Sequence, residues 1–191
     1  MKSYLGLDLS LSSTGFFLLR EDGSNRNMEI RTEGSNYTCL VRRVKDIAET
    51  ILKQIEKEDV VLVLMEDFYV GRFATPVIGL AALGTIVRDR LSSNGYSYIT
   101  ATPSQIKKFE SGSGTSQKGA MIKNVFKNHR FDTSSDNIAD ACAASFLCRG
   151  YVEWKLGRKD FLKYQIDVLK GMKTPIEYPY NKSERKQGEE E

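Results

Sequence analysis

The spacing of apolar residues changes period several times along the chain, and each change marks an element. Tyr4-Leu5-Gly6-Leu7-Asp8-Leu9 and Thr14-Gly15-Phe16-Phe17-Leu18-Leu19 are apolar runs around a small polar turn. That pattern predicts a strand, a tight hairpin and an antiparallel return strand, with Gly15 easing close packing. A turn-rich stretch over 21–27 leads to a third strand from Met28 to Thr32. Val41, Val44, Ile47, Ala48, Ile51, Leu52 and Ile55 recur at spacings of three and four and predict an amphipathic helix. Val60 to Met65 is an unbroken apolar run, as expected of a parallel strand covered on both faces.

A helix is predicted from Val77 to Leu91, carrying Gly79, Ala81, Ala82 and Gly84, small residues that admit another helix from the same chain or from a second subunit. Asn94-Gly95 is a turn, and Tyr96 to Ala101 reads as a strand. Thr102 and Pro103 suit the N-cap and first position of a short helix ending at Lys108. Beyond a Gly/Ser loop over 111–116, helices are predicted from Lys118 to Asn128, from Asn137 to Arg149 and from Tyr151 to Met172. From Thr174 onward the composition is that of a loose tail. The whole is an α/β chain with one core over 1–150, a helical extension over 151–173 and a flexible tail over 174–191.

Against this background Asp8 is anomalous, since a carboxylate among Gly6, Leu7 and Leu9 is costly to bury unless it is paired, hydrogen-bonded or holding a cation. Two readings stand: Asp8 anchors a metal site, or it accepts backbone N–H bonds from the Ser-rich turn. Glu66 repeats the feature at the end of a second apolar strand, where open α/β sheets put their ligands. Asp136 and Asp140 lie four residues apart at a predicted helix start and share one face. If these elements converge, three or four oxygen ligands surround hard divalent cations, and so many like charges would not all stay ionised without them. Two Mg²⁺ (or Mn²⁺) ions about 4 Å apart would then activate water and stabilise the leaving 3′ oxygen in phosphodiester hydrolysis.

Charge and composition narrow the classes. Net charge is only +3 over 191 residues, but Lys107, Lys108, Lys118, Lys123, Lys127 and Arg130 crowd one segment. A basic region beside an acidic site suits a polyanionic substrate reached through metal ions. Three cysteines without CxxC spacing indicate neither a disulfide framework nor a zinc site. The absence of an 18-residue apolar run and of a signal-peptide pattern leads us to expect a soluble, cytoplasmic protein without membrane contact. His129, the single histidine, is expected at the surface.

Five motifs in register resemble the RuvC family of Holliday junction resolvases, within the ribonuclease H-like superfamily. They are Gly6-Leu7-Asp8 with Thr14-Gly15; Met65-Glu66-Asp67-Phe68; Thr102-Pro103-Ser104-Gln105-Ile106-Lys107; Gly112-Ser113-Gly114-Thr115-Ser116-Gln117-Lys118; and Ala139-Asp140-Ala141-Cys142-Ala143. The resemblance spans residues 3–150 and implies a mixed five-stranded sheet flanked by helices. It makes Asp8, Glu66 and Asp140 metal ligands, and Lys107 and Lys118 catalytic, DNA-contacting residues near the cleaved phosphate. Typical members place an acid or histidine three residues before the last Asp. Asn137 stands there, so the fourth ligand is Asp136 one step earlier, an Asn137 carbonyl, or absent. Leu9-Ser10 replaces the bacterial Pro-Gly and looks more like bacteriophage members.

The resemblance further implies a homodimer acting on branched DNA, chiefly four-way junctions, with the dimer contact on the helix 77–91. Arg72 and Phe73 would lie near the junction centre, where Phe73 either stacks on an unpaired base or staples its own helix. Lys108, Gly112, Gly114 and Lys123 complete the expected DNA surface, the Gly-rich approach to Lys118 favouring backbone contact with phosphate. Broader cutting of three-way, fork or flap structures and non-cleaving junction binding are the alternatives. Actin-like ATPases and sugar kinases share an Asp with a Ser/Thr/Gly hairpin, but they need a second lobe that 191 residues cannot supply, so no nucleotide cofactor is expected.

Overall fold

A computed structural model describes residues 1–34, 37–67, 74–115 and 119–175. In chain order the elements are β1 (Lys2–Asp8), β2 (Ser13–Arg20), β3 (Asn25–Arg31), α1 (Tyr37–Ile55), β4 (Asp59–Glu66), α2 (Ala74–Ser93), β5 (Tyr98–Ala101), α3 (Pro103–Ser111), α4 (Ala120–His129), α5 (Asp136–Lys155) and α6 (Lys163–Lys170). The strands form one sheet of order β3-β2-β1-β4-β5. β1 pairs antiparallel with β2, and β2 antiparallel with β3, while β4 runs parallel to both β1 and β5. This is the mixed five-stranded sheet that the sequence implies.

Because successive strand residues point to opposite faces, the apolar runs feed two cores at once. On one face Leu5, Leu7, Phe16, Leu18, Val63 and Met65 pack under Ile47 and Ile51 of α1 and Leu83 and Val87 of α2. On the other, Tyr4, Phe17, Leu19, Leu62 and Leu64 meet α5 through Ala141, Ala144, Leu147 and Cys148, with α3, α4 and α6 around it. Fully burying one such Leu or Phe is worth about 1.5–3 kcal/mol, so the two faces together hold the sheet between its helical layers.

Two glycines decide where α5 lies. A Cβ on Gly6 would stand 2.1 Å from the Ala141 carbonyl oxygen and 2.4 Å from the Ser145 nitrogen. One on Gly15 would stand 2.1 Å from the Asn137 carbonyl oxygen. The helix therefore rests on bare backbone at both points, closer than any side chain would allow.

The helix predicted over 137–149 begins at Asp136 and runs on to Lys155; it stops only where Gly157 turns to φ 98°. The helix expected over 151–172 is correspondingly reduced to Lys163–Lys170 and packs on the core through Val168 and Leu169. Aromatic burial drives the difference: Tyr151 belongs to the α5 core, so the helix has no reason to end at Arg149. Gly79 rests against the hairpin residue Leu11 of its own chain, so one of the small residues on α2 serves an internal contact. Among the described residues no helix is long and apolar enough to cross a membrane.

Candidate active site

β1 and β4 are adjacent and parallel, with Leu7 level with Met65, so both strands end on a carboxylate at the same edge, Asp8 beside Glu66. Alternation places both on the face of Gly6 and Leu64, the face covered by α5. On the other side of β1, Asp8 pairs with Gly15, and Gly15 pairs with Glu29. Glu29, Gly15, Asp8 and Glu66 thus form one row across four strands, and α5 descends onto that row at its glycine. Seated there, α5 brings Asp140 next to Ala141, which lies over Gly6.

The electrostatics follow from this convergence. Burial pushes the Asp8 carboxyl up to about 7, and the charges of Asp140 and Glu66 push it the same way. Glu66 is likewise raised to about 7 by burial and then by Asp140, with Lys107 opposing. Asp140 is raised by burial, partly offset by Lys107 and reinforced by Asp136 one turn earlier. Asp8, Glu66, Asp140 and Lys107 therefore occupy one locus, while Asp136 stands at its margin and is felt through Asp140. None of the three raised carboxylates has a side-chain hydrogen bond or ion pair among the described residues. The Ser-rich turn does not serve Asp8: the Ser10 N–H donates to Thr14 Oγ1 at 3.0 Å, and the Thr14 hydroxyl returns to the Ser10 carbonyl at 2.7 Å.

Among the described residues no group of three His, Cys, Asp or Glu side chains is disposed to hold a metal ion as it stands. The carboxylates repel one another from a shared face without closing into a cage. Their chemistry nevertheless fits a hard cation: several carboxylate oxygens, without partners among the described residues, raised by burial and then by one another's charge, with one lysine alongside.

Lys107 reaches this locus because Thr102 caps α3 with a full capping box, fixing the helix directly after β5. Lys108 is half-buried on the same helix, and Lys123 is exposed on α4. Gly112 ends α3 in the left-handed conformation at φ 80°, and Gly114 lies against Ser104. Arg72, Phe73 and Lys118 lie outside the described residues, as do Phe68, Gln117 and most of the 174–191 tail.

Two long-range partnerships escaped the sequence, Ser135 with Glu29 and His129 with Glu110. Ser135 caps α5 by accepting from the Ile138 N–H at 3.2 Å, and its hydroxyl donates to Glu29 in a short hydrogen bond. The row of Glu29 with Gly15 explains how: β3 supplies the anchor for the helix start that carries Asp136 and Asp140. The Ser-x-x-Ile cap was readable, but its partner on a strand more than a hundred residues away was not. His129, expected at the surface, is instead half-buried. Its Nε2 lies 2.9 Å from the buried Glu110 carboxylate, and its ring stacks on Phe146 at 3.4 Å. Asn128 Nδ2 donates to the same carboxylate at 2.9 Å.

Comparison with known proteins agrees with this geometry. The family model described as crossover junction endodeoxyribonuclease RuvC matches residues 4–148. The crossover junction endodeoxyribonuclease RuvC of Paenarthrobacter aurescens (strain TC1) is 27% identical over 157 residues, covering 80% of this chain and 82% of that one. Thermus thermophilus RuvC superposes with a TM-score of 0.66 at 16% identity, over 79% of this chain and 95% of that one. T. thermophilus RuvC in complex with Holliday junction substrate gives 0.65 at 14% identity, over 81% and 96%. The yeast mitochondrial Holliday junction resolvase Ydc2 gives 0.52 at 12% identity, over 87% and 79%. With the family model spanning the sheet, the glycine seats and all the carboxylates of the site, this chain belongs to the RuvC family of crossover junction endodeoxyribonucleases.

Proposed function

We propose that this chain is a divalent-metal-dependent endonuclease that cuts four-way DNA junctions as a homodimer. The observation that carries this reading is the meeting of Asp8, Glu66 and Asp140 from three separate elements on one face, with Lys107 beside them. Asp8, Glu66 and Asp140 would hold Mg²⁺ or Mn²⁺, two ions per site, with Asp136 completing the set. Bound there, the ions supply an activated water and charge stabilisation at the leaving oxygen.

The chain's own groups do the rest. The carboxylates would fix where the cations sit and, through them, where the scissile phosphate lies, and their burial strengthens every charge interaction at the site. Lys107, already offsetting Glu66 and Asp140, presents a point charge to the phosphate as negative charge builds on it. Lys118, four residues beyond Gly114 in the sequence, adds a second. Lys108 and Lys123 track the backbone, and Arg72 and Phe73 act near the junction centre. A twofold dimer through α2 would set two such sites symmetrically on the four arms.

Single-turnover cleavage of a synthetic four-way junction with Mg²⁺ or Mn²⁺ tests the reading. Wild type should cut, and Asp8→Asn and Glu66→Gln should each lose at least about 10²-fold in rate while still binding the junction. Tight binding without cleavage by wild type would instead identify a non-cleaving junction binder. Equal cutting of linear duplex would remove the structure selectivity.

A further inference from the structure

Helix α4 buries Met121 and Val125 against the core, and its opposite face is exposed. Lys123, Phe126, Lys127 and Arg130 fall at i, i+3, i+4 and i+7, so they form a single stripe, and all four are exposed. Phe126 keeps 49% of its surface in water and is the only exposed Phe, Tyr or Trp among the described residues. The helix contains no acid, and none of the three cations has an ion pair among the described residues.

Arg130 sharpens the point. It ends α4 in the left-handed conformation, φ 56°, the one non-glycine residue with positive φ among those described. Glycine or asparagine fills such a cap without strain, whereas arginine does not. A strained cation, two lysines with no ion pair among the described residues and a solvated phenyl ring share one ridge, a surface that fold stability alone does not call for.

We propose that this ridge is a second DNA-binding site, separate from the acidic locus, in which Lys123, Lys127 and Arg130 hold consecutive phosphates of one strand and Phe126 stacks on an unpaired base. Neighbouring cations of the stripe stand about 5–6 Å apart on the helix face, a spacing that their flexible side chains can match to neighbouring phosphates of one strand. An aromatic among cations is what single-stranded and unstacked nucleic acid takes, because every base has a face to stack and a phosphate to neutralise. α4 packs on α5 and α3, the helices that carry Asp140 and Lys107, so the ridge belongs to the same layer as the acidic locus. The inference rests on the branched-DNA reading and specifies which part of the substrate this face takes: nucleotides displaced from the duplex at a branch.

Binding of a fluorescent four-way junction, a single strand and a linear duplex is measured by full-length protein in EDTA, so that no cleavage contributes. Phe126→Ala should weaken single-strand and junction binding by about 5–150-fold, and Phe126→Trp should restore it, with linear duplex little changed. Lys127→Ala should lower the slope of log affinity against log salt by about 0.7–0.9, whereas Phe126→Ala should leave it unchanged. Arg130→Gly separates binding from folding: it should raise Tm by about 2–4 °C yet weaken DNA. Unchanged affinity for all DNAs in Phe126→Ala and Arg130→Gly, with wild-type cleavage intact, would overturn this site and spare the nuclease reading. A changed oligomeric state in Phe126→Ala at constant affinity would reassign the ridge to a protein contact and overturn it equally. A wild type that binds no branched DNA would sink both.

Discussion

Asp8 faces Gly15 across the first hairpin, and the side chain that Gly15 lacks is the space into which the first turn of α5 descends. The site is thus assembled by an absence: the helix bearing Asp140 comes near the strand bearing Asp8 only because no Cβ separates them. Gly15→Ala puts a methyl group 2.1 Å from the Asn137 carbonyl oxygen, and a backbone atom cannot swing aside as a side-chain tip does. The variant should lose about 1–3 kcal/mol of stability. As α5 lifts, single-turnover junction cleavage should fall by at least tenfold, since about 1 Å of misplacement can cost 10²-fold. Denaturant unfolding read alongside cleavage decides the matter, and wild-type activity in a folded Gly15→Ala protein would refute the seating argument.

The same proximity makes folding sensitive to pH. In the folded state Asp8 and Glu66 hold protons up to about 7, whereas their ordinary values are 3.8 and 4.5. Between those limits the native state binds more protons than the unfolded chain, so stability falls as pH rises through about 7. In EDTA the wild type should melt lower at pH 8 than at pH 5.5, by roughly 2–8 °C after allowing for solvent at these half-buried groups. Asp8→Asn should flatten the difference, and Mg²⁺ should narrow it by raising the pH 8 value. A wild type that melts higher at pH 8 than at pH 5.5 in EDTA would contradict the direction argued here.

A second buried carboxylate has a different task. Glu110, 3% exposed near the end of α3, is held by Asn128 and His129 at the far end of α4, and so ties the two helices that bracket the loop containing Gly112 and Gly114. His129→Ala should cost about 1–3 kcal/mol because it strips one of two side-chain partners from a buried carboxylate that Asn128 still holds. Glu110→Ala should cost about 1–3 kcal/mol through the donors left behind. Since each removes the same contact, the double variant should cost less than the two added together. Additive losses in a denaturant series would mean that the pair is not coupled.

Sequence pattern revealed most of this architecture where period and composition agree. The hairpin, the unbroken strand before Glu66 and the amphipathic α1 all have one face or two faces that water must leave, and that requirement is written locally. Asp8 and Glu66 were legible as a pair because each is a charge at the end of an apolar strand. The boundary between α5 and the following helix was not, because Tyr151 looks like the start of a new stripe until the core that receives it is known. His129 was misread for a related reason: its partner Glu110 lies on another helix, and neither residue has an anomalous local context. The Phe126 stripe was hidden within a basic segment, where only exposure separates a stacking ring from a core one.

The last link in the chain of support runs from β3 to the site through one hydroxyl. Ser135 accepts the Ile138 N–H and donates to Glu29, whose carboxyl is held below the usual range first by that bond and then by Arg31. Ser135→Ala removes the cap and the strand anchor together, and a lost serine N-cap costs about 1 kcal/mol. Glu29→Gln keeps the shape and an acceptor oxygen while removing the charge, so it should cost less. Both act on the first turn of α5, where Asp136 lies one turn from Asp140 and the helix has just met Gly15. The expected signature is therefore a fall in cleavage rate larger than the loss of stability accounts for, in Ser135→Ala and to a smaller extent in Glu29→Gln, with junction binding in EDTA unchanged. If Ser135→Ala is destabilised but cleaves at the wild-type rate when fully folded, the hydroxyl holds the helix without aiming it, and the aim must come from the two glycines alone.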